Sequence, residues 1–282
     1  QNPALQTMIA ETPALLPEMT PEEILRDLRK EIGTSYPSIP NGRKNAPIHS
    51  TIKYVDESLA AYSAPAFYMT PPIDNICENL ICLNPKDTDD DISLYTTLAH
   101  EGYPGHLYQT VYSKRFQEQE DCLPLGSVLY YGGYVEGWAM YVELKAYDYA
   151  KLLMAQAAPE TGALYDLYKL DRQIQLCLYS LLDIAIHHEG ATYEQAHKIL
   201  SSIGISDPAT TRSIYEYIAE EPTNYLKYYL GYLEIADLKA EAQKIWGNAY
   251  SEYRFHKFYL ENGPADFTNL HLELSKSAAR IS

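Results

Sequence analysis

His100, Glu101 and His106 fall within seven residues of one another, and Pro104 and Gly105 stand between the two histidines. In the familiar H-E-x-x-H pattern, histidines four apart share one face of a helix. Here they are six apart. On a regular helix that spacing puts His106 about 120° around from His100 and about 9 Å further along, so a straight helix cannot aim both at one ion. The residues between them remove the straight helix. Pro104 has no N–H to give and its ring clashes with the carbonyl of residue 100, while Gly105 tolerates dihedrals that other residues avoid. The sequence therefore predicts a break or bulge between Gly102 and Gly105 that swings His106 back toward His100. Thirty residues further on, Glu136 opens the run Glu136-Gly137-Trp138-Ala139 near the start of another predicted helix. Two imidazoles and a carboxylate make a three-ligand zinc set with a position left for water, and Glu101 is placed to activate that water. The expected class is a zinc-dependent hydrolase.

Composition narrows the alternatives. A formal charge of −16 argues against a nucleic-acid binder, which needs clustered Lys and Arg, and against a protein of anionic membrane surfaces. No apolar run reaches the ~18 residues of a membrane span; the longest, Leu176–Ile186, has the length of a buried helix segment. The four cysteines (77, 82, 122, 177) form no CxxC pair and read as buried free thiols. The chain starts at Gln1 without the basic and apolar regions of a signal peptide, and neither an exported nor a cytoplasmic location is singled out. Tyrosine is abundant, with 27 copies against 5 Phe. A Tyr-lined substrate groove and a plain habit of residue usage both account for it.

Along the chain, residues 1–50 read as a Pro-punctuated lead-in with one short helix, opened by the capping box Thr20-Pro21-Glu22-Glu23 and stopped at Gly33. Residues 51–282 read as the main domain. Thr51–Val55 and Asn79–Leu83 are the two predicted strands. The second precedes the metal helix, where it either completes a small sheet or, as an edge, accepts an extended peptide. The acidic run Lys86–Asp91 lacks the glycine and distal Glu of a calcium loop and reads as a solvated helix start. Helices are expected at roughly 92–119, 127–156, 160–189, 193–203, 208–220, from about 223 to 246, 248–261 and 264–275.

The motif His-Glu-x-x-Pro-Gly-His followed by Glu-Gly-Trp-Ala resembles the bacterial family called domain of unknown function 885. Further matches are Ala66-Phe67-Tyr68, Pro71-Pro72 and Leu83-Asn84 before the metal helix, Leu182–His187, Pro222–Gly231, Phe255–Phe258 and Gly263-Pro264. Members look like zinc metallopeptidases, similar in plan to the thimet oligopeptidase, angiotensin-converting-enzyme and carboxypeptidase Taq groups. The resemblance implies a mainly α, zincin-like, multi-helix catalytic domain with a small β element before the metal helix. It implies Zn2+ held by His100, His106 and Glu136, with Glu101 as general base. It makes Tyr228 the best match for a hydroxyl that stabilises the oxyanion and His187 a second candidate. Tyr228 reads equally as one more packing tyrosine, and His187 as a helix C-terminal histidine complementing the dipole. Glu143, two turns after Glu136, reads as an outer partner to a ligating histidine or as a surface charge. Where the family has Thr-Gly and Lys, this chain has Ile184-Ala185 and Tyr229, which bears on substrate preference and leaves the metal set intact. Members are usually much longer, so this chain resembles their C-terminal, metal-bearing half.

The expected function is a zinc metallopeptidase acting on short peptides. Its rivals are a peptide-binding or scaffold protein that keeps the motif without turnover, and a half-enzyme completed by an N-terminal partner. A di-iron protein would need Glu-x-x-His pairs on two helices, and none is present in the right places.

Overall fold

Thr20 caps the first helix as its sequence demands. Its hydroxyl accepts from the Glu23 N–H at 3.3 Å, and the Glu23 carboxylate accepts from the Thr20 N–H at 2.9 Å. In the computed structural model, which describes residues 15–41, 46–72, 74–86, 91–120 and 129–277, this helix is α1, Pro21–Leu28. A 3-10 turn, Arg29–Glu31, continues it, and Gly33 stops it at φ 92°, where a side chain would be strained. Leu16, Ile24, Leu25 and Leu28 enter the same core as the helices downstream. The acidic run falls largely on residues 87–90, and Cys122 at 122, both outside the described residues. Cys77, Cys82 and Cys177 are free thiols, half-buried rather than fully buried.

Three strands form one sheet: β1 (His49–Tyr54), β2 (Ala66–Met69) and β3 (Glu78–Leu83), in the order β1-β3-β2. β1 runs parallel to β3 and β2 antiparallel to it, with Tyr68 opposite Ile81. The sequence reading misses β2, a strand of four residues bounded by Pro65 and Pro71, too short for alternation to show. Its presence corrects the placing of β3: that strand is central, with a neighbour on each side, and is no edge for a peptide.

The helices follow as α2 (Asp91–Glu101), α3 (His106–Glu120), α4 (Gly132–Met154), α5 (Gly162–His187), α6 (Tyr193–Ser202), α7 (Pro208–Glu220), α8 (Asn224–Trp246), α9 (Glu252–Asn262) and α10 (Phe267–Ser277). The expected helix over 92–119 is two helices, parted at 102–105 as the proline and glycine require. The last helix begins after Asp266, whose carboxylate accepts from the Asn269 N–H at 2.9 Å, rather than on Pro264. The architecture is mainly α with a small sheet.

Ten of the 27 tyrosines are buried in the core. Tyr36, Tyr95, Tyr103, Tyr108, Tyr112, Tyr134, Tyr165 and Tyr259 are among the largest fully buried side chains. A buried phenol needs a partner for its hydroxyl. Tyr134 and Tyr259 meet that need reciprocally, stacking at 4.4 Å and each donating to the other's backbone carbonyl at 2.9 Å. His256 stacks on Tyr36 at 4.1 Å, donates from Nδ1 to the Ser35 carbonyl and accepts from the Tyr141 hydroxyl at Nε2. Burial drives its imidazole down to about 3, so it stays neutral in these roles.

α4 and α8 cross in backbone contact. A Cβ on Gly231 would stand 2.4 Å from the Gly133 carbonyl oxygen and 2.9 Å from the Gly137 Cα. The glycine beside Glu136 thus lets α8 lie against α4, which fixes Tyr228 relative to Glu136. Gly231→Ala has no room to relax, and overpacking of this kind costs about 1–3 kcal/mol. Urea unfolding should show the midpoint lowered accordingly; an unchanged midpoint would refute the close crossing.

Candidate metal centre

α2 ends at Glu101 and α3 begins at His106. Between them the chain folds back on itself so tightly that a Cβ on Gly105 would lie 1.8 Å from the His100 carbonyl oxygen. Only glycine fits there. The Tyr108 N–H reaches the Gly102 carbonyl at 3.2 Å, and the Pro104 carbonyl is taken by the Trp138 indole N–H at 2.9 Å. Trp138 has no exposed surface. The turn is therefore tied to α4 two residues after Glu136.

The result brings the two imidazoles together, 4.8 Å apart and edge to face. His100, Glu101 and His106 each offer a ligand atom, all within 4.8 Å of one another. Glu136 Oε2 lies 3.2 Å from His106 Nε2 and 3.9 Å from His100 Nε2. It is buried and lacks a hydrogen bond of acceptable geometry, the His106 contact included. Tetrahedral ligands about 2.1 Å from an ion are about 3.4 Å from each other. The two imidazole–carboxylate separations bracket that figure, and the orphaned carboxylate oxygen is the group an ion would satisfy. The donor set fits a divalent metal.

Each arm of the set has an outer partner. His100 Nδ1 lies 2.8 Å from Glu143 Oε2, and the other oxygen of Glu143 accepts from Arg172 Nε at 2.8 Å. Burial by itself would raise the Glu143 carboxyl; the Arg172 guanidinium and His100 overcome it and hold the group down at about 2. Burial likewise pushes the His100 imidazole down, but its bond to Glu143 and the nearby Glu101 and Glu136 carry it above the ordinary value. Glu136 is held below the usual carboxylate range, since His106, His100 and Lys227 outweigh its burial. Glu101 keeps Oε1 3.9 Å from His100 Nε2, while its Oε2 accepts from the Tyr68 N–H of β2 at 2.8 Å. The strand that sequence reading misses therefore orients the proposed base.

A cavity of about 380 Å³ opens on this centre, with His100, Glu101, Arg172, Asn224, Tyr225 and Tyr228 in its wall. Tyr179 and Tyr217 join them, so part of the tyrosine excess does line a groove. The Tyr228 ring is 6.3 Å from that of His100. Burial, with Glu136 and Glu101 nearby, pushes its phenol up, so it remains a hydrogen-bond donor.

A model of the family described as "Bacterial protein of unknown function (DUF885)" matches residues 3–271. The chain belongs to the DUF885 family. Among solved structures, a "putative lipoprotein" from Colwellia psychrerythraea is similar, with a TM-score of 0.75 and 21% identity over 98% of this chain and 46% of that one. The DUF885 chain thus spans about half the length of that relative. No functionally curated protein matches it.

Of the residues singled out in the DUF885 chain, His100, Glu101, His106, Glu136 and Tyr228 converge, and Glu143 is an interior partner of His100 rather than a surface charge. His187 is directed elsewhere. Its Nδ1 lies 2.8 Å from Asp183 Oδ1, its Nε2 3.4 Å from the Ala219 carbonyl, and it is not in the cavity wall. Asp183 also accepts from the N–H of Thr223, which has a left-handed φ of 67°. His187 and Asp183 thereby clamp the turn that leads into the helix of Tyr228. Arg172 and the role of the Tyr68 N–H escape sequence reading: Arg172 lies outside every matching segment, Tyr68 stands in one without showing what its backbone bonds, and both contacts span long separations. Removal of the charge that pairs with His100, by Glu143→Gln, is expected to weaken metal affinity about 10–100-fold. Competition against a chelator of known affinity measures this, and unchanged affinity would show that Glu143 plays no part in the centre.

Proposed function

We propose that this chain is a zinc-dependent, zincin-like peptidase centre for short peptides. The observation that carries the reading is the buried, partnerless Glu136 Oε2 set between the Nε2 atoms of His100 and His106, with Glu101 alongside. Zinc held by His100, His106 and Glu136 would supply the Lewis acidity that activates both a peptide carbonyl and water. Glu101 takes the proton of the attacking water and passes it to the departing amine; the Tyr68 N–H keeps its second oxygen engaged so that the first faces the reaction. Tyr228 donates its hydroxyl proton as a hydrogen bond to the tetrahedral oxyanion. Glu143, backed by Arg172, holds the His100 ring in register. A peptide in the cavity runs beside Pro65 and Ala66, where β2 begins.

A second reading is favoured by one surface. On α5, Leu167, Leu170, Ile174 and Leu181 are exposed at helical spacing, with exposures of 42%, 53%, 63% and 59%. This stripe lies on the helix that carries Arg172 and suits an N-terminal half that closes the cleft, present on the same precursor or as a separate chain. On that reading the chain alone binds metal and peptide without turnover.

Excess chelator is expected to abolish cleavage of a peptide mixture, and added zinc to restore it. Glu101→Gln is expected to cut the rate about 10²–10⁴-fold while zinc stays bound. Activity indifferent to complete metal removal would end the peptidase reading; bound zinc without hydrolysis under any condition would favour the half-enzyme.

A further inference from the structure

Tyr103, in the turn between the two metal-facing histidines, also borders a second cavity, of about 400 Å³. Arg29 and Arg115 stand in its wall with Ile39, Pro47 and Ile48. Arg115 is only 3% exposed. One guanidinium nitrogen donates to the Ala46 carbonyl at 2.9 Å and meets Cys77 Sγ at 3.2 Å, while its Nε is buried with no hydrogen-bond partner. Arg29 lies over the Tyr103 ring, 5.2 Å from its centre. The Tyr103 hydroxyl is buried without a hydrogen bond of good geometry, although Ser50 lies beside it. Among the described residues no carboxylate pairs with either arginine.

A buried guanidinium without a counter-charge is costly, and a chain with a formal charge of −16 has carboxylates to spare. Among the described residues none is delivered here. A lone inorganic oxyanion would answer the two arginines and the phenol but leave the apolar wall of Ile32, Ile39, Pro47 and Ile48 bare. We propose that this cavity binds an organic anion, with a carboxylate or phosphate head at Arg115, Arg29 and Tyr103 and an apolar body packed on Ile39, Pro47 and Ile48. The site is separate from the metal centre and does not depend on the function proposed for it.

Calorimetric titration of the full chain tests this with N-acetyl-L-leucine, phenyl phosphate and the neutral N-acetyl-L-leucinamide. Saturable binding is expected for at least one anion, and which one binds identifies the head group. The amide should bind about tenfold or more weakly than the acid, because it forfeits charge-assisted hydrogen bonds. Arg29 is exposed, so Arg29→Gln leaves the fold intact; it should weaken the anion about tenfold and leave the amide unchanged. Tyr103→Phe should weaken the anion in the same direction. Equal binding of acid and amide, no saturable binding of either anion, or anion affinity unmoved by Arg29→Gln would each overturn the proposal.

Discussion

The Pro104 carbonyl, turned out of any helix by its own ring and its glycine neighbour, is caught by the indole N–H of Trp138. Much of the centre hangs on that bond. It joins the turn between the histidines to the helix that supplies Glu136, so three donors from two distant stretches of chain come to one point. Trp138 is in turn packed against Tyr259, Tyr36 and His256, which joins the turn to α9 and to the segment after α1. A buried aromatic assembly of this kind resists rearrangement because each ring fills volume that no neighbour can take up cheaply.

A second chain of contacts runs inward from His100 through Glu143 to Arg172. It makes the imidazole basic and fixes the direction of its Nε2. The same chain reaches the cavity, since Arg172 and Glu143 both stand in its wall. The close crossing of α4 and α8 at Gly137 and Gly231 brings the remaining wall, with Tyr228 and Asn224, over the donor set. Glycines that look permissive in sequence are here positions of no spare volume.

Local chemistry made much of this legible in advance. The capping box at Thr20, the break forced by Pro104-Gly105 and the helix starts at Tyr193 and Pro208 depend on neighbours a few residues away, and all stand where those neighbours dictate. The convergence of His100, His106 and Glu136 was legible because the break explained an otherwise impossible spacing. What escaped depends on long-range packing. β2 is four residues long, and its pairing with β3 cannot be read from its own composition. Arg172 lies 29 residues beyond its partner Glu143, and the Tyr68 N–H lies 33 residues before Glu101. His187 stood in a matching segment, yet its partners Asp183 and Ala219 draw it to a turn instead of to the metal donors.

The fold-back at Gly102–Gly105 is what brings His100, Glu101 and His106 together as candidate metal ligands. Elemental analysis of zinc bound after dialysis, on the natural chain and on Gly105→Ala, tests it most directly. One zinc per natural chain and a large loss in the variant, with helix content kept in both, is the outcome this account predicts. Equal zinc in the two proteins, or none in the natural chain, would contradict it.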